Sequence, residues 1–376
     1  MLTQFFKTQK VLLIASAVII SIIGCKKEQY TKANETASDL SNAKADIIVH
    51  SGESIQAAVD AAQPGALIKI EPGTYLESIT VSKAGIKLVG ITQGASGVII
   101  QNPGDEEDGI VVGDAGDGFV LKNVTVKDFA ENGIVLDSVD NFTISHVTAT
   151  DNGEYGIFPV FSSHGVIDHC TVSGHTDTGI YVGQSSDVNM EYNTATENVN
   201  GLEVENSSNV NVTNNQSYDN VCGILIDLLP GKDIKSSTNV YVANNNVYKN
   251  NHINFGEEGS LESVVPSGLG ILVLGTDQTT VENNTVTSND FSGITVFSTL
   301  VLVALGGITA EEIDVEPNPD GTRVIGNVVQ KNGANPPELI IPLPGVDLLW
   351  DGSGSDNCWS DNKFKTSYPS PLPSCN

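Results

Sequence analysis

Five glycines, each followed by a branched apolar residue, recur at almost constant spacing: Gly133-Ile134, Gly156-Ile157, Gly179-Ile180, Gly201-Leu202 and Gly223-Ile224. The steps between them are 23, 23, 22 and 22 residues. Each pair opens a short alternating strand, such as Ile180-Tyr181-Val182 or Ile224-Leu225-Ile226. A fixed period of this size marks a repeat fold. A second strand follows in each period (Phe142-Thr143-Ile144, Val188-Asn189-Met190, Val210-Asn211-Val212), then a shorter third (Val147-Thr148-Ala149, Thr194-Ala195). Three strands per repeat predict one coil of a parallel β-helix, with coils stacked ~4.8 Å apart. The expected fold is all-β, about 10 coils of ~22–24 residues each.

The rest of the chain reads as starts, stops and interruptions of this stack. Glu53 to Ala62 carries apolar residues at helical spacing after the first strand, Ile47-Ile48-Val49. A helix there would cover the open edge of the first coil. Asparagines recur at two corners: Asn193, Asn215, Asn245, Asn284 and Asn327 at one, and Asn132, Asn152, Asn198, Asn220, Asn289 and Asn332 at the other. Their amides are expected to form ladders between coils, a structural role. Gly223 to Gly270 spans 47 residues and reads as about two coils, with bulges at Leu228–Asp233 and Phe255–Gly268. Leu300–Gly307 is apolar and reads as a buried strand or a flap. The β-helix is expected over residues 46–335, and residues 336–376 as a C-terminal cap.

The N-terminus carries targeting information. Lys7 and Lys10 precede an apolar run, Val11 to Ile23, too short to span a bilayer comfortably. The run ends Gly24-Cys25 and resembles a bacterial lipobox. That resemblance implies removal of residues 1–24 and lipidation of Cys25, with residues 25–45 as a flexible polar tether. The expected location is the cell envelope, lipid-anchored at the outer membrane of a Gram-negative bacterium. An oxidising compartment makes Cys358 and Cys375 an expected disulfide.

Charge narrows the partners. The chain has 46 Asp+Glu against 18 Lys+Arg, a net charge of −28, and one arginine, Arg323. Such a surface repels nucleic acid, and repels acidic polymers unless cations bridge them. Alternation in the glycine-led strands points the isoleucines inward and two columns outward. One column is Val135, Phe158, Tyr181, Glu203, Leu225, Leu272 and Thr295; the other is Asp137, Val160, Gly183, Glu205, Asp227, Leu274 and Phe297. Aromatic faces beside carboxylates suit a sugar, so Phe158, Tyr181, Glu203, Glu205 and Asp227 form the expected ligand-binding stripe. Glu203, Glu205 and Asp227 are the candidate ligands for Ca²⁺, which takes six to eight oxygens. Tyr155, His164, Asp177, Tyr181 and Glu203 are the candidates for catalysis, with His164 the histidine considered as a base. His146 and His169 occupy equivalent corners and are expected to stack.

Pro72-Gly73-Thr74-Tyr75 after an Ile-Gln-Ala-Ala-Val helix, the glycine–isoleucine rungs and the asparagine corners resemble right-handed parallel β-helix proteins of the pectin-lyase-like superfamily, over about Ile47 to Asn332. The middle portion, including Asp177-Thr178-Gly179-Ile180-Tyr181 and Gly201-Leu202-Glu203-Val204-Glu205, looks like an exported, lipoprotein-bearing subfamily without an assigned reaction. The superfamily includes polysaccharide lyases, galacturonan hydrolases, pectin esterases and uronan epimerases. A lyase of the pectate type needs an Arg or Lys base beside its carboxylates, and neither outward column contains one. Three functions follow as expectations: an exported lipoprotein binding a glycan or protein through the stripe, a Ca²⁺-dependent lyase or epimerase of an acidic glycan, and envelope maturation alongside a second exported protein.

Overall fold

A computed structural model describes residue 40 and residues 42–92, 97–340 and 342–375. The signal segment, Cys25 and most of the tether lie outside the described residues. Three parallel sheets of 12, 11 and 10 strands run the length of the molecule, and each coil contributes one strand to each. The 11-stranded sheet contains the glycine-led strands Asn132–Asp137, Tyr155–Val160, Thr178–Gly183, Asn200–Glu205, Cys222–Asp227, Leu269–Leu274 and Ser292–Phe297. Inward Ile134, Ile157, Ile180, Leu202 and Ile224 are fully buried in one continuous core.

The glycine column has a steric cause. A Cβ on Gly133, Gly156, Gly201 or Gly223 would lie 2.5–2.6 Å from the carbonyl oxygen of the glycine in the next coil. Real Cβ atoms do not approach backbone so closely, so any side chain there would push the coils apart.

The asparagines form two buried ladders. Along one, Asn193, Asn215, Asn245, Asn284 and Asn327 each donate a backbone N–H to the next side-chain oxygen, ending on Asn362, at 2.8–2.9 Å. The other runs Asn198, Asn220, Asn250, Asn289, Asn332 and Asp347. His175 and Asn152 continue it towards the N-terminus, and burial pulls the His175 pKa down to about 4. Asn132 stands apart from this ladder and bonds Asp108 at 2.7 Å on the glycine-led sheet. His146 and His169 stack with ring centroids 4.8 Å apart.

Four boundaries differ from the sequence reading. Gly223 to Gly270 is a single enlarged coil, because Cys222–Asp227 pairs directly with Leu269–Leu274. The stack also runs past residue 335: Val346–Trp350, Cys358–Ser360 and Ser367–Tyr368 extend two sheets, and Cys358 is joined to Cys375. The helix over the first coils is Ile55–Ala61, capped by the Ser54 side chain. The tether does not run free to residue 45, since Leu40 is buried against Leu67 and Val89.

Removing a middle ladder rung leaves its neighbours' polar groups without partners. Asn245→Ala is expected to lower stability by about 2–4 kcal/mol in urea titration. Ile253→Ala, at a side chain 84% exposed, is expected to change it by less than about 0.5 kcal/mol.

Candidate functional site

The register stacks Tyr181 on Glu203, Leu225, Leu272 and Thr295, and Gly183 on Glu205, Asp227, Leu274 and Phe297. These side chains point away from the coil, yet they are not open to solvent. Tyr181, Glu203, Glu205 and Asp227 are only 3%, 4%, 3% and 1% exposed. The expected open stripe is therefore corrected: insertions elsewhere in the chain roof it over. Outward leucines on the later rungs pack with Leu229, Leu302 and Val346 into a second apolar cluster, and Leu261, Val265, Leu339 and Leu343 lie against it. The apolar Leu300–Gly307 stretch contributes a short helix, Val301–Leu305, which places Leu302 there.

The loop after Asp227 is pinned by polar side chains. Asn206 Nδ2 donates to the carbonyls of Leu229 and Ile234, and Asn206 Oδ1 accepts the Leu229 N–H at 2.7 Å. Gln184 Oε1 accepts from Asp233 and Ile234. This loop carries Lys232 onto the stripe, its Nζ 2.9 Å from Glu205 Oε2. Tyr181 donates its hydroxyl to the other oxygen, Oε1, at 2.6 Å. The columns contain no basic residue, but the loop supplies one. Its sequence signal is the period-breaking bulge that directly follows an acidic rung.

Glu203 sits in a second network. Asn200 Nδ2 donates to Glu203 Oε2 at 3.1 Å. The Thr178 hydroxyl lies between that same oxygen and Asp177 Oδ1. One hydroxyl hydrogen cannot serve two carboxylate oxygens, so a proton on one carboxyl satisfies the geometry. Burial, with Glu262 nearby, pushes Asp177 up to about 8. Burial and the charge of Asp227 raise Glu203 well above the carboxylate range, and burial and Glu205 do the same to Asp227. Burial opposes the charge on Lys232, but Glu205 outweighs it and raises that pKa. Both tyrosines are raised too, mainly by burial, and stay neutral phenols.

Oxygens of Glu203, Glu205 and Asp227 all lie within 4.8 Å of one another. The set fits Ca²⁺ poorly. Both oxygens of Glu205 are engaged by Tyr181 and Lys232, and Glu203 Oε2 by Thr178 and Asn200, against a demand for six to eight oxygens. Asp227 Oδ1 and Asn200 Oδ1 are buried without a hydrogen-bond partner among the described residues. A buried polar atom left so costs about 1–3 kcal/mol.

On the N-terminal side of this cluster, Tyr155, Phe158 and Tyr181 pack on one another. Centroid separations are 4.4 Å for Tyr155–Phe158, 4.8 Å for Phe158–Tyr181 and 5.2 Å for Tyr155–Tyr181. Tyr155 and Phe158 keep part of their surface exposed. His164 does not join them. It lies beyond the far end of the Tyr155–Val160 strand, in a corner turn, where its Nδ1 is 2.7 Å from Asp140 Oδ1. A six-residue strand separates Tyr155 from that turn by roughly 16 Å. Four of the five catalytic candidates thus converge, and His164 is excluded by strand length.

Because three carboxyls hold protons in the folded state that an unfolded chain would release near pH 4, stability is highest below that pH and falls as pH rises towards about 8. Thermal unfolding is expected at a lower temperature at pH 8.5 than at pH 5. Asp177→Asn should flatten that slope. A melting temperature that rises across this range would contradict the assigned protonation.

The family described as a right handed beta helix region matches residues 84–229. No curated protein matches the chain in sequence. The A-module of mannuronan C-5 epimerase AlgE4 from Azotobacter vinelandii is similar with a TM-score of 0.56, at 17% identity over 85% of this chain and 94% of that one. The AlgE6 A-module from the same organism gives 0.55, at 16% identity over 83% and 86%. The periplasmic alginate epimerase AlgG gives 0.50, at 16% identity over 80% and 69%. Likeness at such identities is one of backbone architecture. The chain has the fold of a right-handed parallel β-helix.

Proposed function

We propose that this protein binds a carbohydrate on the Tyr155–Phe158–Tyr181 plate, beside the carboxylate cluster. The observation that carries the reading is the plate itself: three mutually packed rings on the outer side of the coil, two of them partly exposed. A sugar ring lays its C–H face on such rings and needs acceptors for its hydroxyls. Glu154 flanks Tyr155 in sequence, and burial and Glu131 raise its pKa. A net charge of −28 favours neutral or amino sugars over uronates.

A second reading, a lyase or epimerase of an acidic glycan, draws support from Lys232. This cation and the Tyr181 phenol meet on one carboxylate, and the similar structures include enzymes named as epimerases. On a panel of neutral, amino and uronate oligosaccharides, Phe158→Ala is expected to weaken the bound class at least about tenfold by calorimetry. Unchanged affinity would discard the plate. Unsaturated uronate released with Ca²⁺, and lost in Lys232→Met, would replace binding with the lyase reading.

Export and anchoring through Cys25 are part of the same proposal, supported by the lipobox-like Gly24-Cys25 and a disulfide that suits an oxidising compartment. A second exported protein remains a partner class compatible with an outward-facing site. Labelling with an alkyne-tagged fatty acid should mark the wild type and spare Cys25→Ser. Equal labelling of both would refute the anchor.

A further inference from the structure

The roof over the later rungs encloses a cavity of about 60 Å³. Its floor is the leucines of two rungs, Leu225, Leu269, Leu272 and Leu274. Leu261, Val265 and Leu302 close it from the insertions. At the end towards the ring plate the lining changes to Asn200, Glu203 and Asp227. Allowing roughly 10–15 Å³ per water-sized centre, the space takes a chain of about four to six heavy atoms.

Two features give this slot a direction. Asp227 is 1% exposed and Asn200 1% exposed, and each offers the cavity end an oxygen without a partner among the described residues. Asn200 Oδ1 is an acceptor and Asp227 Oδ1 is one once its carboxyl gives up the proton, so the complementary group is a donor that can replace that proton. The local charge balance selects its kind. Asp177, Glu203, Glu205 and Asp227 cluster here with Lys232, which is already paired with Glu205, and Glu262 also lines the slot. In the free protein these carboxyls keep protons; an ammonium takes the place of the proton on Asp227, whereas an anion would face carboxyls on every side.

We propose that the slot is a binding site for a small apolar amine. Its ammonium donates to Asp227 Oδ1 and neighbouring acceptors, and its hydrocarbon body lies on the Leu225–Leu272 floor. Three N–H donors on one ammonium match the unsatisfied acceptors, and the leucines give the body a dry bed. The site is distinct from the glycan plate: it lies on the opposite side of Glu203, under the roof, and stands whether or not the plate binds sugar.

The test is calorimetric titration of the full chain at pH 7 with butylamine, butan-1-ol and butanoate. Butylamine is expected to bind at least ten times more tightly than butan-1-ol, and butanoate not at all. Asp227→Asn should bring the amine down to the affinity of the alcohol. Leu272→Trp should fill the floor and abolish binding of both, and Leu302→Trp does the same from the roof should the first variant not fold. Phe158→Ala should leave amine binding within twofold. No heat with butylamine, equal affinity for the amine and the alcohol, or binding that survives both tryptophan variants would overturn the proposal.

Discussion

Coil-on-coil registration is the constraint on which everything else in this protein rests. Parallel strands alone tolerate a slip along their axis, and a one-residue slip would exchange the inner and outer faces. Here slippage is opposed at three places in the middle coils. The glycine column admits no side chain without separating the coils. The two asparagine ladders bond backbone to side chain from coil to coil inside the core, where a mismatched amide would have no water to turn to. Left-handed corners, as at Asn214, Asn244 and Asn283, recur in register. With three such pins, the outward columns are as well determined as the core.

That rigidity lets the molecule carry an expensive arrangement. Four carboxyls on adjacent rungs face outward beside one lysine, and loops remove them from water. Desolvation and mutual repulsion both work against this, and the structure offsets them with Tyr181, Thr178, Asn200 and Lys232, together with protons retained on the carboxyls. The insertions that form the roof are themselves linked. Asp314 accepts from Gly231 N and pairs with Lys235, and Thr299 donates to the Leu228 carbonyl. Perturbed groups packed beside an open aromatic surface are the arrangement expected of a binding or catalytic site.

Much of this was legible in the chain. Alternation is a local property, so Glu203, Glu205 and Asp227 could be placed on one outer face before any coordinates. Most of the ladder positions were legible from the same repeat, apart from Asn132, which shares the spacing but belongs to the glycine-led sheet, and from His175, Asn250, Asp347 and Asn362, which the spacing did not single out. The roof was not legible. Where an insertion lands is decided by tertiary packing, and nothing in Leu228–Asp233 states that it folds back over its own strand. Lys232 was hidden for that reason, and so was the burial of the stripe. His164 was misplaced because nearness in sequence was read without the length of the strand that intervenes. The 47-residue step was misread because length alone does not separate an extra coil from a decorated one.

The central claim is that the outward cluster is a desolvated, proton-sharing site and not a solvated acidic face. Titration of the side-chain carboxyl resonances by carbon-13 NMR, assigned with Asp177→Asn, Glu203→Gln and Asp227→Asn, tests it directly. The account predicts that carboxyls of this cluster still hold protons at pH 7 and that Asp177 titrates near 8. If all of them titrate in the ordinary carboxylate range around pH 4, the stripe is solvated and the account is wrong.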